Sequence, residues 1–228
     1  MTVQPDLIVL AGGRGTRLGG AFKPAVEVAG RTLLSRVLDA RPLARHTVVV
    51  GPPSARAAAT QAPTAPTPDS AIIWALEDPP YGGPVAGIAA GLAAQGAQGE
   101  QHFDEPADWL LVLACDLPRG ADAARLLVAA ASAFESIGEQ CDGVHLIDSS
   151  GHAQWLAGIY RGTALRAAVA SLGDRVDGAS MRQLLAGLNL KGLLDESGAG
   201  IDVDTWQDVE RSSARLTEIQ PNPRSDPQ

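Results

Sequence analysis

Aromatic residues are scarce, at 4% of 228 residues, although 45% of the chain is hydrophobic. A core of useful size must then be built from Leu, Val, Ile and Ala. Cysteine is scarcer still. Cys115 and Cys141 stand apart with no C-x-x-C pair, which excludes a disulfide framework and a cysteine-paired metal site and leaves free buried thiols in a reducing compartment as the expectation. Basic charge is also short: 18 Lys and Arg against 26 Asp and Glu give a net charge of −8 and a pI near 4.9. Such a surface repels nucleic acid and anionic lipid, so neither is an expected partner. Long hydrophobic runs are absent. The longest, residues 109–114, is far too short to span a bilayer. The N-terminal stretch lacks a basic segment leading into an apolar one, so no secretory signal is expected and a cytoplasmic location is. An acidic chain of this kind can hold an anionic substrate only through a local basic or glycine-rich device.

What is present is an alternation. Short apolar runs at 7–11, 47–50, 71–76 and 109–114 read as buried strands. Helical patterns separate or follow them at 32–41, 85–94 and 121–134. Strands alternating with helices predict an α/β fold with a mostly parallel sheet covered on both faces. In the second half, 143–148 and 154–160 flank Ser149-Ser150-Gly151 as a hairpin, and helices are expected near 162–171 and 180–186. Thr205 followed by Asp208 marks a helix start. The stretch 61–69, rich in Pro, Ala and Thr, reads as an exposed loop. One domain over 1–216 and a disordered tail over 217–228 are expected.

The most informative stretch follows the first strand: Leu10-Ala11-Gly12-Gly13-Arg14-Gly15-Thr16-Arg17-Leu18-Gly19-Gly20-Ala21-Phe22-Lys23. Glycines let backbone N–H groups close around an anion, and Arg17 and Lys23 add the charge a polyphosphate needs. At the carboxyl end of a strand in an open α/β sheet, such a loop stands where ligands bind. A Walker loop is excluded because Pro24 follows Lys23, and a dinucleotide loop because Leu18 stands where its last Gly belongs.

This stretch resembles the L-A-G-G-x-x-x-R-x-G-x-x-K signature of nucleotidyltransferases, and is most similar to that of the molybdenum-cofactor guanylyltransferase family. Three further segments resemble that family's motifs in the same order: Gly83-Pro84-Val85-Ala86-Gly87, Ala114-Cys115-Asp116-Leu117-Pro118 and Asp202-Val203-Asp204-Thr205. The resemblance implies a three-layer α/β/α Rossmann-like nucleotidyltransferase fold. It also implies Mg²⁺-dependent transfer of GMP from GTP to a molybdopterin-type acceptor, with transient contact to cofactor-handling proteins. By the same resemblance, Leu10, Ala11, Gly12 and Gly13 contact the nucleotide through backbone, Lys23 binds phosphate, Asp78 binds the nucleotide end and Asp116 holds the metal. The sequence departs from the family at Phe22, where Asp is common; at Gly51, where an Asn can stand; at Ala114, in place of Pro; and at Asp202 and Asp204, in place of Asn.

The chemistry suits these residues. In-line displacement at the α-phosphorus joins two anions, so alignment and positive charge carry the catalysis, and Arg17, Lys23 and Asp116 are the catalytic candidates. Mg²⁺ takes one or two protein carboxylates: Asp116, otherwise a turn residue, and Asp204, equally readable as a helix N-terminal Asp. Asp78 is either a base or ribose acceptor or a solvated loop carboxylate. His152, Trp155, Tyr160, Arg161 and Arg182 are acceptor-site candidates, each more readily a packing or surface residue. A molybdopterin cytidylyltransferase, a sugar-phosphate nucleotidyltransferase and an inactive nucleotide-binding regulator are the alternative readings.

Overall fold

The computed structural model describes residues 2–13, 16–59, 71–97 and 107–219. Arg14 and Gly15 of the glycine-rich loop, the stretch 61–69 and the tail beyond 219 lie outside the described residues.

The centre of the fold is a seven-stranded sheet. In chain order its strands are β1 (Asp6–Leu10), β4 (Thr47–Val50), β5 (Ile72–Ala75), β6 (Trp109–Ala114), β7 (Gly143–Ile147), β8 (Ala153–Arg161) and β9 (Leu190–Leu194); a small separate hairpin supplies β2 (Glu27–Val28) and β3 (Arg31–Thr32). The spatial order is β5-β4-β1-β6-β8-β7-β9. The first four are mutually parallel. Then β8 runs antiparallel to β6 and β7, and β9 returns parallel to β7. The sequence reading anticipated β1, β4, β5, β6 and the β7–β8 hairpin, but not β9 or the β2–β3 hairpin.

The described residues form seven α-helices: α1 (Leu33–Val37), α2 (Ala55–Ala59), α3 (Pro84–Ala97), α4 (Gly120–Ile137), α5 (Gly162–Leu172), α6 (Met181–Leu185) and α7 (Trp206–Ile219). The segment expected as one helix over 32–41 is a single α turn that tightens into a 3₁₀ stretch over Leu38–Leu43. Pro42 has no N–H to continue an α ladder. Helix α7 runs through Ile219, three residues beyond the expected domain edge at 216. No helix among the described residues is long and apolar enough to cross a membrane.

Because both sheet faces are covered, the central strands are buried throughout: Leu7, Val9, Leu111 and Leu113 face one layer with α1 and α4, and Ile8, Leu110 and Val112 face the other with α3, α5 and α6. Strands of this kind read as continuous apolar runs, which is why the sequence identified them. The aliphatic core expected from the lack of aromatics is present, with Trp109 and Tyr160 its largest fully buried side chains. Small residues on α3 allow close approach to β1. A Cβ on Gly91 would stand 2.9 Å from Ile8 Cγ2, so α3 packs its own backbone against the sheet and holds the loop before it near the strand ends.

A third, smaller apolar cluster holds the ligand-facing loops. Leu18, Val26, Val28, Leu33 and Val203 are buried together, with Val209 and Leu216 of α7 packed on them. It ties the glycine-rich loop, the β2–β3 hairpin and the 202–204 segment into one unit.

Candidate active site

Four parallel strands end on one edge of the sheet, and their loops surround a cleft of about 550 Å³. The loop after β1 contributes Leu10, Gly12 and Gly13 to it. Gly13 has φ +116°, a conformation open to glycine and strained for a residue with a Cβ. Ala11 is pinned by its N–H to Val50 O at 2.7 Å, and Leu10 O accepts from Cys115 N at 2.9 Å. The phosphate-loop candidate thus leaves the sheet fixed to both neighbouring strands.

Lys23 opens a short 3₁₀ turn, Lys23–Ala25, whose Pro24 is buried. The proline that excludes a Walker loop therefore seats the lysine. Its Nζ donates to Asp116 Oδ2 at 2.8 Å and to Asp204 Oδ1 at 2.6 Å. Arg17 donates to the other oxygen of Asp204. These contacts join positions up to 187 residues apart. Asp116 follows β6, and its O accepts from Val203 N at 2.9 Å, which places the 202–204 segment alongside. In that extended segment alternate side chains point the same way: Val203 is buried and Asp202 and Asp204 project together.

Asp116, Asp202 and Asp204 each present an oxygen within 4.8 Å of the others. Such a set fits a hard divalent cation, which prefers carboxylate oxygens; the residues that would hold it are Asp116 and Asp204, with Asp202 beside them. The electrostatics follow from the crowding. Burial works against the charge on Lys23, but Asp116 and Asp204 outweigh it and raise its pKa. Hydrogen bonding from Lys23, then from Arg17, lowers the pKa of Asp204. Asp202 reaches solvent at its surface, yet desolvation within the cluster, followed by the charges of Asp116 and Asp204, raises its pKa. Asp202 was absent from the candidates read from sequence, although its spacing from Asp204 was the signal available. Asp204 sits just before α7, where Thr205 and Asp208 form the expected cap: Thr205 N donates to Asp208 Oδ2 at 2.8 Å and Asp208 N to Thr205 Oγ1 at 3.2 Å.

The far wall of the cleft is formed after β4 and β5. Asp78 is exposed and is not on the cleft wall; the carboxylate that lines it is that of the preceding residue, Glu77. Tyr81 N donates to Glu77 Oε1 at 2.7 Å. Gly51, also on the wall, has no room for a side chain: a Cβ would stand 2.8 Å from Ala11 O. Gly51→Asn is therefore expected to cost about 1–3 kcal/mol of stability through overpacking. Urea unfolding checks this, and an unchanged midpoint would show that the Ala11 strand end can yield.

Other candidates lie elsewhere. Phe22 packs on the core rather than facing the cleft. Cys115 is buried on the cleft wall, and burial, with the adjacent Asp116, pushes its thiol well above the ordinary range, which removes it as a nucleophile. Tyr160 is fully buried and donates to Trp155 O at 2.6 Å. Arg161 pairs with Glu135 at 2.6 Å and lies over the Trp109 ring, at the sheet edge opposite Asp116. His152 is exposed in the β7–β8 turn and Arg182 on α6.

An open, mostly parallel sheet whose first loop is rich in glycine and faces a lysine held between one carboxylate at a strand end, Asp116, and another before α7, Asp204, defines a nucleotidyltransferase domain. The chain belongs to the MobA-like NTP transferase domain family, whose profile matches residues 7–192. Among curated relatives it is similar to a protein named molybdenum cofactor guanylyltransferase from Pseudomonas paraeruginosa, 37% identical over 115 residues that cover 50% of this chain and 49% of that protein. A protein of the same name from Vibrio cholerae is 31% identical over 120 residues, covering 51% of this chain and 50% of that one. The chain thus spans about half the length of the curated relatives it matches. Among solved structures, the molybdopterin-guanine dinucleotide biosynthesis protein A from Archaeoglobus fulgidus shares the fold at 20% identity with a TM-score of 0.63, covering 93% of this chain and 99% of that one. The 2-C-methyl-D-erythritol 4-phosphate cytidylyltransferase from Thermus thermophilus does so at 19% identity and a TM-score of 0.60, covering 94% and 98%.

Proposed function

We propose that the protein transfers GMP from GTP to a molybdopterin-type phosphate and releases pyrophosphate, with Mg²⁺ as its metal. The observation that carries this reading is the Lys23 ammonium bridging Asp116 and Asp204 beside a glycine-rich strand end. The names of the curated relatives support the guanylyl branch and the acceptor.

In this mechanism Gly12 and Gly13 present backbone N–H groups to the triphosphate. Lys23 leaves its carboxylate partners to contact phosphate, and Arg17 screens the charge that builds up as two anions approach. Asp116 and Asp204 would hold the cation, which when bound would supply charge neutralisation to the phosphate oxygens. No general base is needed, because a phosphate nucleophile is ionised at neutral pH. That suits a cleft whose buried thiol, Cys115, has no role as a base.

The test is a nucleotide panel with purified protein, Mg²⁺ and molybdopterin. Acceptor-dependent pyrophosphate release with a higher kcat/KM for GTP than for CTP is expected. A ratio below one would move the chain to cytidylyl transfer, and turnover only with a sugar phosphate would replace the acceptor.

A further inference from the structure

The central sheet ends at β9, a strand of five residues. It has β7 on one side and, among the described residues, no strand on the other. The direction of its backbone groups can be assigned residue by residue. At its two ends Asn189 O accepts from Asp142 N at 2.8 Å and Asp195 N donates to Ile147 O at 2.8 Å, so both flanking residues face β7. Successive residues of a strand turn their N–H and C=O groups to opposite sides. Lys191 and Leu193 therefore complete the ladder to β7, and the N–H and C=O groups of Leu190, Gly192 and Leu194 point away from the sheet. Gly192 is exposed, and Leu194 is 57% exposed.

Edge strands are commonly guarded by a proline, a bulge or a free charge. β9 shows none of these. Its sequence, Leu190-Lys191-Gly192-Leu193-Leu194, has no proline, and its register with β7 runs unbroken from Gly143 to Ile147. Its one charged side chain, Lys191, is tied back to Glu139 at 2.7 Å. The strand is also complementary to itself. An antiparallel copy centred on Gly192 sets Gly192 against Gly192, Leu190 against Leu194 and Lys191 against Leu193. The Gly192 pair and the Leu190–Leu194 pairs are those whose backbone groups point outward, so each can exchange both its hydrogen bonds. No side chain stands at the centre, and none fits there: a Cβ on Gly192 would lie 2.2 Å from Ile147 Cδ1. Leu190 and Leu194 share one face of the strand, and Leu190 already packs on the layer of Ile8, Leu110 and Val112. The paired leucines would carry that apolar layer across the junction.

We propose that β9 is a dimerisation edge, at which a second copy of this chain pairs antiparallel about Gly192 and continues the sheet across a two-fold axis. Such an interface is isologous and closes on itself. The pairing leaves both clefts open. β9 is separated from β6 by β7 and β8, and the cleft lies over the ends of β1, β4, β5 and β6. One short strand makes a small interface, so the dimer should form with a dissociation constant on the order of 10 µM, at the weak end of protein association.

The test is sedimentation velocity of the full chain from about 1 to about 200 µM, a range that brackets that constant. The weight-average mass should climb from 23.5 kDa toward twice that value. Leu194→Lys removes an apolar contact at both ends of the pairing and should weaken association by about 100-fold or more. Leu126→Lys, at a 38% exposed position on α4, should associate as the wild type does. Residue-resolved amide hydrogen exchange of the wild type is the second measurement. Raising the concentration should protect Leu190, Gly192 and Leu194 and leave Lys191 and Leu193 unchanged. That pattern needs no variant, so it decides even where Leu194→Lys fails to fold. A monomer throughout the range, a dimer that survives in folded Leu194→Lys, or association without added protection at Leu190, Gly192 and Leu194 would overturn the proposal.

Discussion

Replacing Lys23 by alanine is expected to lower kcat/KM for nucleotidyl transfer by roughly 30- to 1,000-fold. One charge-assisted contact to phosphate in a water-poor site is worth about 2–4 kcal/mol in the transition state. The fold should persist, because the apolar cluster of Leu18, Val26, Val28, Leu33 and Val203 holds that unit without the Lys23 side chain. The structure adds a second consequence. The ammonium sits on the two carboxylates a cation would use. Lys23→Ala leaves Asp116 and Asp204 facing each other beside Asp202, so Mg²⁺ should raise the melting temperature of the nucleotide-free variant more than that of the wild type. Mutual repulsion relieved by a bound cation is a linkage effect that grows with affinity. Near-wild-type turnover in the variant would remove Lys23 from the mechanism. An equal response to Mg²⁺ in both proteins would show that lysine and metal do not share the carboxylates.

Asp116→Asn should be the more damaging change for activity at low Mg²⁺. The amide keeps nearly the same volume but loses the anionic oxygen, and a hard cation held by one or two protein carboxylates tolerates that poorly. A fall of about 100-fold or more in kcat is expected, with partial recovery at high Mg²⁺ because Asp204 and Asp202 remain. The backbone role of Asp116 should survive, since its carbonyl, not its side chain, receives Val203 N. Steady-state rates across a Mg²⁺ titration decide the matter. Full activity at low Mg²⁺ would reduce Asp116 to a turn residue ahead of Pro118.

The parts of this architecture that were legible in the sequence are those with local causes. Strands β1, β4 and β6 are buried on both faces and announce themselves as apolar runs. The Thr205–Asp208 cap is a short-range hydrogen-bond device with fixed spacing. The glycine-rich loop was recognisable because glycines and bases coincide after a strand. What escaped depends on tertiary context. Strand β9 carries Lys191 and Gly192 and lies at the sheet edge next to β7, so it shows neither alternation nor a continuous apolar run. Glu77 and Asp78 are chemically alike and adjacent; which one enters the cleft is decided by the turn after β5, and no spacing rule reports it. The closure of Lys23 onto Asp204 spans 181 positions and accompanies the burial of Val203 in the hairpin cluster. The glycine at 51, a departure from the family pattern when read as sequence, has its physical reason in the approach of Ala11 O.

Phosphate chemistry at the Lys23–Asp116–Asp204 cluster is expected to break the bond between the α- and β-phosphates and leave the nucleotide on the acceptor. Parallel reactions with GTP labelled at the α- or at the γ-phosphorus, in the presence of Mg²⁺ and molybdopterin, test it most directly. The α label should move to the acceptor and the γ label should leave in pyrophosphate, both in equal amounts and both lost in Asp116→Asn. Release of the γ label as inorganic phosphate, with the α label retained in GDP, would contradict it.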